Sequence, residues 1–521
     1  MVARLTAGTC ILTIVFLARG ARGDAADFEH WQGAFKTGRT WGAMELRMSR
    51  DGSTDAAHLR IAPDARPTEP ALAEIRLSDR RISFVTTIEA TRYRFEGDRR
   101  DSRWAGTLVA VDGGRDRGTW ALSRLDVEGV RETADEWLPA ATGRYSTGRI
   151  AFQWVDETRP ELETRNPDDR RELLVYVFYP AQTSNDLRVP PAAYMPEADV
   201  MRPYWKDDLT NRLKTLRAHS REGMTIAGRP ARFPVVIFAP GGGQKALAYT
   251  TLLEDLASHG YVVAAIEPPY NAPAMQFPDG RTVGRLAPAD RGWDEPKTRD
   301  DTPRIYEQMV LHWARDMSFV LDRLTELHTA SHGLLAGRLD VARAGAFGHS
   351  RGGQAAGTVR LLDARFRGGV NLDGNIRGRG FQPIKGPDGG QQPFMWIEKQ
   401  TPVLNDKELE QAQLPKELYQ QFFVETDRLM HSVTGGSAHV RVARMGIDHL
   451  DFSDNPFWSA GMAPEARAAK RQTLALTRAY VRAFFDGCLR GQWEELRGLA
   501  ADARKTYPEV STRTFGRMWP D

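Results

Sequence analysis

Residues 341–357 read VARAGAFGHSRGGQAAG, and the fold turns on how this stretch is read. The apolar run ARAGAF runs into Gly348-His349-Ser350-Arg351-Gly352, and GGQAAGTVRLL follows as the start of a helix. A strand, a sharp turn and a helix, with serine at the tip and glycine on both flanks, is the arrangement of a nucleophile elbow, where a side chain beside the turn would clash. A structural serine capping that helix would use the same residue types. The decision therefore rests on partners elsewhere in the chain.

A serine hydroxyl attacks only when a base takes its proton, and the base needs an acid to hold its tautomer. On parallel-sheet hydrolases the acid and then the base follow the serine in sequence. Asp373, in GGVNLDGN, closes the next apolar strand 23 residues after Ser350, and parallel strands present their C-terminal ends along one edge. Glu398, after PFMWI, is the rival acid. Three histidines follow Asp373. His431 falls in a polar excursion and His439 at the start of a strand. His449, in RMGIDHLDFSD, comes just after that strand and is the expected base; Asp448, Asp451 and Asp454 around it leave open a capping or ion-paired histidine. His349 is expected to support the elbow. Two backbone amides are expected to receive an oxyanion: that of Arg351, and that of Gly242 in VVIFAPGGGQ, where glycines let the main chain approach a substrate.

Outward from this centre, β-branched strand candidates alternate with helical stretches from residue 141 to 521: ELLVYVFYP, FPVVIFAPGGG, TTLLEDLASHG, YVVAAIEPP, EQMVLHWARDMSFVLDRLTEL. Continuous apolar strands between helices predict an α/β domain, a mostly parallel sheet covered on both faces. Its last helix is expected at RQTLALTRAYVRAFFDGCLRG, with Cys488 on the packed face. Residues 398–436 are polar and helix-prone, an excursion or lid between two strands. Residues 27–126 follow a different grammar. MELRMSRDG, ISFVTTIEATRYRFEGD and RGTWALSRL alternate apolar and polar residues between turn signals, which predicts a small all-β sandwich or barrel with its tryptophans inside. Residues 127–140 read as a linker.

The first 23 residues carry Arg4, the apolar run Leu5–Leu17 and Ala21-Arg22-Gly23, the pattern of a cleaved signal peptide, so an exported protein, periplasmic or extracellular, is expected. That run is too short to cross a bilayer as a helix, which takes about 20 residues, so no stable membrane span is expected after cleavage. With Cys10 in this segment, Cys488 is left without an internal partner. The balance of 71 basic against 68 acidic residues gives no electrostatic reason for nucleic acid as a partner; a small-molecule or lipid ester is the better expectation. His328 and His332 stand four apart, but no glutamate or third ligand accompanies them, and no metal or organic cofactor is expected.

Taken in order, GRYSTG, RELLVYVFYPA, FPVVIFAPGGGQ, LASHGYVVAAIEPP, FGHSRGGQAA, VNLDG and DHLDFSD resemble the α/β-hydrolase superfamily and, within it, the platelet-activating factor acetylhydrolase, isoform II-like esterases. The resemblance runs from about Tyr145 to Asp454 and leaves the N-terminal β-domain outside. It implies the α/β-hydrolase fold and a serine esterase with Ser350 as nucleophile, Asp373 as acid and His449 as base, and the amides of Gly242 and Arg351 as oxyanion hole. Where such enzymes often read His-Gly in the oxyanion loop, this chain has Pro240-Gly241. The same triad on a lactone, amide or carbohydrate ester, or a β-domain that binds a surface polymer, are the alternatives.

Overall fold

The computed structural model describes residues 28–125, 137–182, 190–287, 290–292, 301–374, 392–411 and 437–515, apart from 50–56, 502–506 and a few loop positions. The expected signal peptide, most of the linker, and most of the 398–436 excursion with His431 lie outside these residues.

The alternating N-terminal segment forms eight strands: β1 (Phe28–Lys36), β2 (Trp41–Ser49), β3 (His58–Pro63), β4 (Ala73–Leu77), β5 (Arg81–Ile88), β6 (Thr91–Arg100), β7 (Arg103–Ala110) and β8 (Arg117–Arg124). They pair antiparallel in one sheet, in the order β3-β2-β1-β8-β7-β6-β5-β4. Trp31, Trp104 and Trp120 are buried in the core to which nearly every strand contributes. The Trp120 indole N–H donates to the carbonyls of Glu96 and Thr107, so this large ring is buried without stranding its polar atom. The single open sheet, curved round its core as a half-barrel, corrects the expectation of a two-sheet sandwich or closed barrel. Alternation specifies a half-buried strand in all three architectures; which edges meet is set by register and curvature.

The second sheet has eleven strands in the order β11-β12-β9-β10-β14-β13-β17-β18-β19-β20-β21. These are β9 (Ser146–Pro160), β10 (Arg170–Ala181), β11 (Pro191–Ala193), β12 (Arg217–Glu222), β13 (Phe233–Ala239), β14 (Val262–Glu267), β17 (Leu339–His349), β18 (Phe366–Leu372), β19 (Phe394–Lys399), β20 (Ser437–Val442) and β21 (Val510–Phe515). A ribbon of β15 (Ala274–Gln276) and β16 (Thr282–Gly284) stands apart. From β14 to β20 the neighbours run parallel. Among the described residues six of the ten pairings are parallel, as expected of a mostly parallel sheet, but the flanks make it mixed: β10 is antiparallel to both β9 and β14, β11 to β12, and β21 closes the far edge antiparallel to β20. A β-branched apolar run reads the same in either direction, so direction is invisible in ELLVYVFYP. The helix Pro464–Arg490 is not the last, because Glu494–Ala501 and β21 follow it.

Helices cover both faces. Thr250–Ser258 and Pro464–Arg490 pack into one core cluster. Asp301–Thr329 and Arg351–Leu362 pack into the other, through Trp313, Met317, Leu321, Ala355 and Val359. Strand β13, FPVVIFA, is buried along its whole length because it lies between these layers. Cys488 is half-buried against the first cluster. The β-domain docks on this body: Ala43 and Ala62 pack on Ala443 and Met445, and Gln400 Nε2 donates to the Trp41 carbonyl at 3.1 Å.

Phe485 is fully buried between the sheet and its covering helix, with rings of Tyr261, Phe347 and Phe484 around it and Gly345 left bare to admit it. Phe485→Ala should lower the unfolding free energy by about 3–5 kcal/mol in urea melts, the range for an aromatic deletion that leaves a cavity.

Candidate active site

Ser350 caps the helix Arg351–Leu362 with φ 53° and ψ −117°, a conformation in which a non-glycine residue is strained. Its surroundings hold it there. Its amide donates to the Leu372 carbonyl at 2.8 Å. A Cβ on Gly348 would stand 2.3 Å from the Gly352 carbonyl carbon, and one on Gly352 would stand 2.1 Å from the Ala239 oxygen. Glycine is required at both positions because three backbones converge, those at the C-terminal ends of β13 and β17 and at the start of the helix.

Asp373 follows β18 and is also left-handed, at φ 48°. Its amide donates to Ile397 O at 2.7 Å, and its Oδ1 accepts the Lys399 amide at 3.0 Å. Its other oxygen, Oδ2, meets His449 Nδ1 at 2.6 Å. The Asp373 carboxyl is therefore braced by the neighbouring strand end, with one oxygen left for His449. His449 opens a short 3₁₀ turn whose N-cap, Asp448, accepts from the Leu450 amide, while Asp451 accepts the Asp448 amide in return. Lys470 ties Asp451 to the long C-terminal helix at 2.5 Å. So Asp448 caps the turn and Asp451 pairs with Lys470, while His449 pairs with Asp373. Glu398, the rival acid, accepts from Arg441 Nε at 3.0 Å and bonds His439 Nε2 at 2.9 Å.

The loop after β13 supplies the amides. Gly241 N–H points to the Tyr249 hydroxyl at 3.3 Å and Gly243 N–H to Asn271 Oδ1 at 2.8 Å. Among the described residues no hydrogen bond engages the N–H of Gly242 or of Arg351. Two unclaimed donors from different elements beside a serine are what a tetrahedral oxyanion requires. Asn271 also donates to the carbonyls of Gly241 and Gln244, which fixes the loop's shape.

His349 joins these parts from below. It is fully buried, and burial followed by the nearness of His449 holds its pKa well below the usual range, so it is neutral. Its Nε2 lies 2.9 Å from the His449 carbonyl, which can only accept, so Nε2 carries the proton. Its Nδ1 then accepts from the Tyr249 hydroxyl at 2.7 Å. The Tyr249 oxygen in turn faces the Gly241 amide, giving one chain of hydrogen bonds from the loop after β13 to the backbone of His449. Tyr249 and Asn271 carried no sequence signal, since each acts on backbone that only the fold brings near. Among the described residues no group of three histidine, cysteine or acidic side chains could hold a metal ion.

Four of the five expected site residues, Gly242, Ser350, Arg351 and Asp373, thus lie at the C-terminal ends of central strands, and His449, past β20, meets Asp373 there. The fold is of the α/β-hydrolase type, preceded by an antiparallel β-domain. The family model for platelet-activating factor acetylhydrolase, isoform II, matches residues 133–277, a stretch that includes Gly242 and ends before Ser350. A probable 1-alkyl-2-acetylglycerophosphocholine esterase of Arthroderma benhamiae is 24% identical over 275 residues, covering 50% of this chain and 64% of that protein. The platelet-activating factor acetylhydrolase of Canis lupus familiaris is 26% identical over 160 residues, 27% of this chain and 35% of that one. The match therefore spans less than two thirds of either curated relative. Among solved structures, a ferulic acid esterase from Streptomyces cinnamoneus aligns over 73% of this chain and 100% of its own at TM-score 0.54 and 29% identity. The chain resembles the platelet-activating factor acetylhydrolase, isoform II, family.

Asp454, in the same loop, is fully buried, and its carboxyl is pushed up to about 7 by burial, against the opposing hydrogen bonds from Thr251. Unfolded, it would titrate near 4, so folding takes up a proton between about pH 4 and 7, and this group's stabilisation falls as pH rises through that window. Asp454→Asn should remove that slope: relative to the parent chain, its melting temperature should be higher at pH 8 than at pH 5.

Proposed function

We propose that this chain is a serine esterase that cleaves carboxylic esters through an acyl-enzyme. The observation that carries the reading is the 2.6 Å contact between Asp373 Oδ2 and His449 Nδ1 beside an elbow flanked by two unclaimed amides. In this reading Asp373 keeps the proton on His449 Nδ1, leaving Nε2 to take the Ser350 proton as Oγ attacks the ester carbon. The new C–O bond places negative charge on the former carbonyl oxygen, which accepts from the Gly242 and Arg351 amides. His449 returns its proton to the departing alkoxide as the ester bond breaks. Water, activated by the same nitrogen, then releases the acid and restores Ser350.

The proposed substrates are esters with short acyl groups or lipid-like esters. The names of the fungal and canine relatives favour this class, and that of the structural neighbour adds esters of aromatic acids. Export is proposed with it, on the signal-like N-terminus; no described helix is long and apolar enough to cross a membrane. Ser350→Ala should lower kcat on 4-nitrophenyl acetate by about 10⁴-fold or more and abolish fluorophosphonate labelling, with circular dichroism unchanged. Retained turnover would overturn the assignment. Expression of the full chain in a bacterial host should yield a mature protein, found outside the cytoplasm, whose N-terminal sequencing begins near Asp24; recovery from the cytoplasm beginning at Met1 would count against export.

A further inference from the structure

Beside the elbow stand two guanidinium groups that the ester chemistry does not need. Arg351 follows the nucleophile, and its side chain turns back over the oxyanion loop: a Cβ on Gly242 would stand 3.2 Å from Arg351 Nη2. The guanidinium lies over the rings of Tyr306 and Trp313, 5.6 and 5.2 Å from their centres. Its Nε is buried with no hydrogen-bond partner. Arg285, just beyond β16, reaches the same loop from the other side, where a Cβ on Gly243 would stand 2.9 Å from its Nη2. Its Nη2 donates to a neutral acceptor, the Asn271 carbonyl, at 3.2 Å.

Neither arginine forms an ion pair with a carboxylate among the described residues. Contrast Arg171 nearby, which is fully buried between Glu161 and Asp316 at 2.8 and 2.7 Å. The carboxylate that faces the pair is Glu163, which is 8% exposed and whose acid is raised to about 7 by burial. Arg285 is exposed at the rim of the loop, and partial burial first, then the charges of Arg291 and Arg351, lower its pKa. Two like charges held against consecutive residues of a loop repel one another unless an anion comes between them. Stacking on tyrosine and tryptophan fixes the Arg351 plane while leaving N–H groups free for a planar or tetrahedral oxyanion.

We propose that Arg351 and Arg285 form an anion-recognition site beside the oxyanion loop, so that the preferred ester carries a carboxylate or phosphate group near its scissile bond. This deepens the esterase reading and rests on it for the word ester; the anion site itself does not. Charge-assisted hydrogen bonds to a fork of arginines would orient such a substrate before attack.

Two experiments test it separately. In the first, kcat/KM is compared for 4-acetoxybenzoate and 4-acetoxyphenyl phosphate against methyl 4-acetoxybenzoate, and for monomethyl against dimethyl glutarate. These pairs distinguish carboxylate from phosphate, and an anion on the alcohol side from one on the acyl side. At least one anionic ester should be preferred about tenfold or more, and Arg285→Gln and Arg351→Gln should each cut that ratio about fivefold or more. No anionic preference, or a preference that both variants keep, overturns the site. In the second, benzoate and phenyl phosphate are titrated calorimetrically into the Ser350→Ala protein, with benzamide as neutral control. Tighter binding of one anion, weakened about tenfold by adding Arg285→Gln, supports the site even if no ester is turned over. Equal binding of anion and benzamide overturns it while leaving the esterase reading intact.

Discussion

The strained turn at Ser350 is the constraint on which the site depends. At φ 53° the serine leaves the strand and starts a helix within one residue, and the main chain can do so only where neighbouring backbones meet without side chains between them. Gly352 lies against Ala239 and Pro240, Gly353 against Asn371, and Gly374 against the Ser350 carbonyl. The loop after β13, the elbow after β17 and the turn after β18 are thereby locked to one another through backbone contact. Each carries a candidate functional group: the Gly242 amide, the Ser350 hydroxyl with the Arg351 amide, and the Asp373 carboxyl. Strain at the serine is thus balanced by packing that also fixes the distances the proposed chemistry needs.

His449 belongs to none of those strand ends and has to be brought to them. Three groups do so from different directions. Asp373 takes its Nδ1, His349 takes its backbone carbonyl, and the Asp448–Asp451 capping box, anchored by Lys470, shapes the turn it begins. The polarity of the His349 link is set by the acceptor-only carbonyl, so the Tyr249–His349 chain has a single arrangement of protons and is neutral throughout. In the proposed mechanism a protonated His349 beside His449 would oppose the imidazolium that forms there. Burial keeps it uncharged.

The N-terminal β-domain touches this same loop. Ala43 and Ala62 pack on Ala443 and Met445, the residues that lead from β20 towards His449, and Gln400, next to the strand end that braces Asp373, donates to Trp41. The half-barrel is therefore joined to the body near Asp373 and His449. That contact joins residues scattered far apart in the chain, and no local pattern marks them.

What the sequence determined by itself was whatever depends on neighbours along the chain. Period-two alternation separated the β-domain from the α/β domain, and the strand-glycine-serine-glycine-helix order marked the elbow. Because parallel strands end on one edge, chain order alone placed Asp373 and His449 where the structure sets them in contact. Tertiary structure decided what depends on groups distant in sequence. Strand direction at β9, β10 and β21, the open edges of the first sheet, and the late helix and strand after residue 490 follow from pairing, which apolar runs do not encode. So do Tyr249 and Asn271, which act on main-chain atoms of another segment. Arg285 is a surface arginine that gains its place beside Gly243 only through the fold, which sets the end of β16 against the loop after β13.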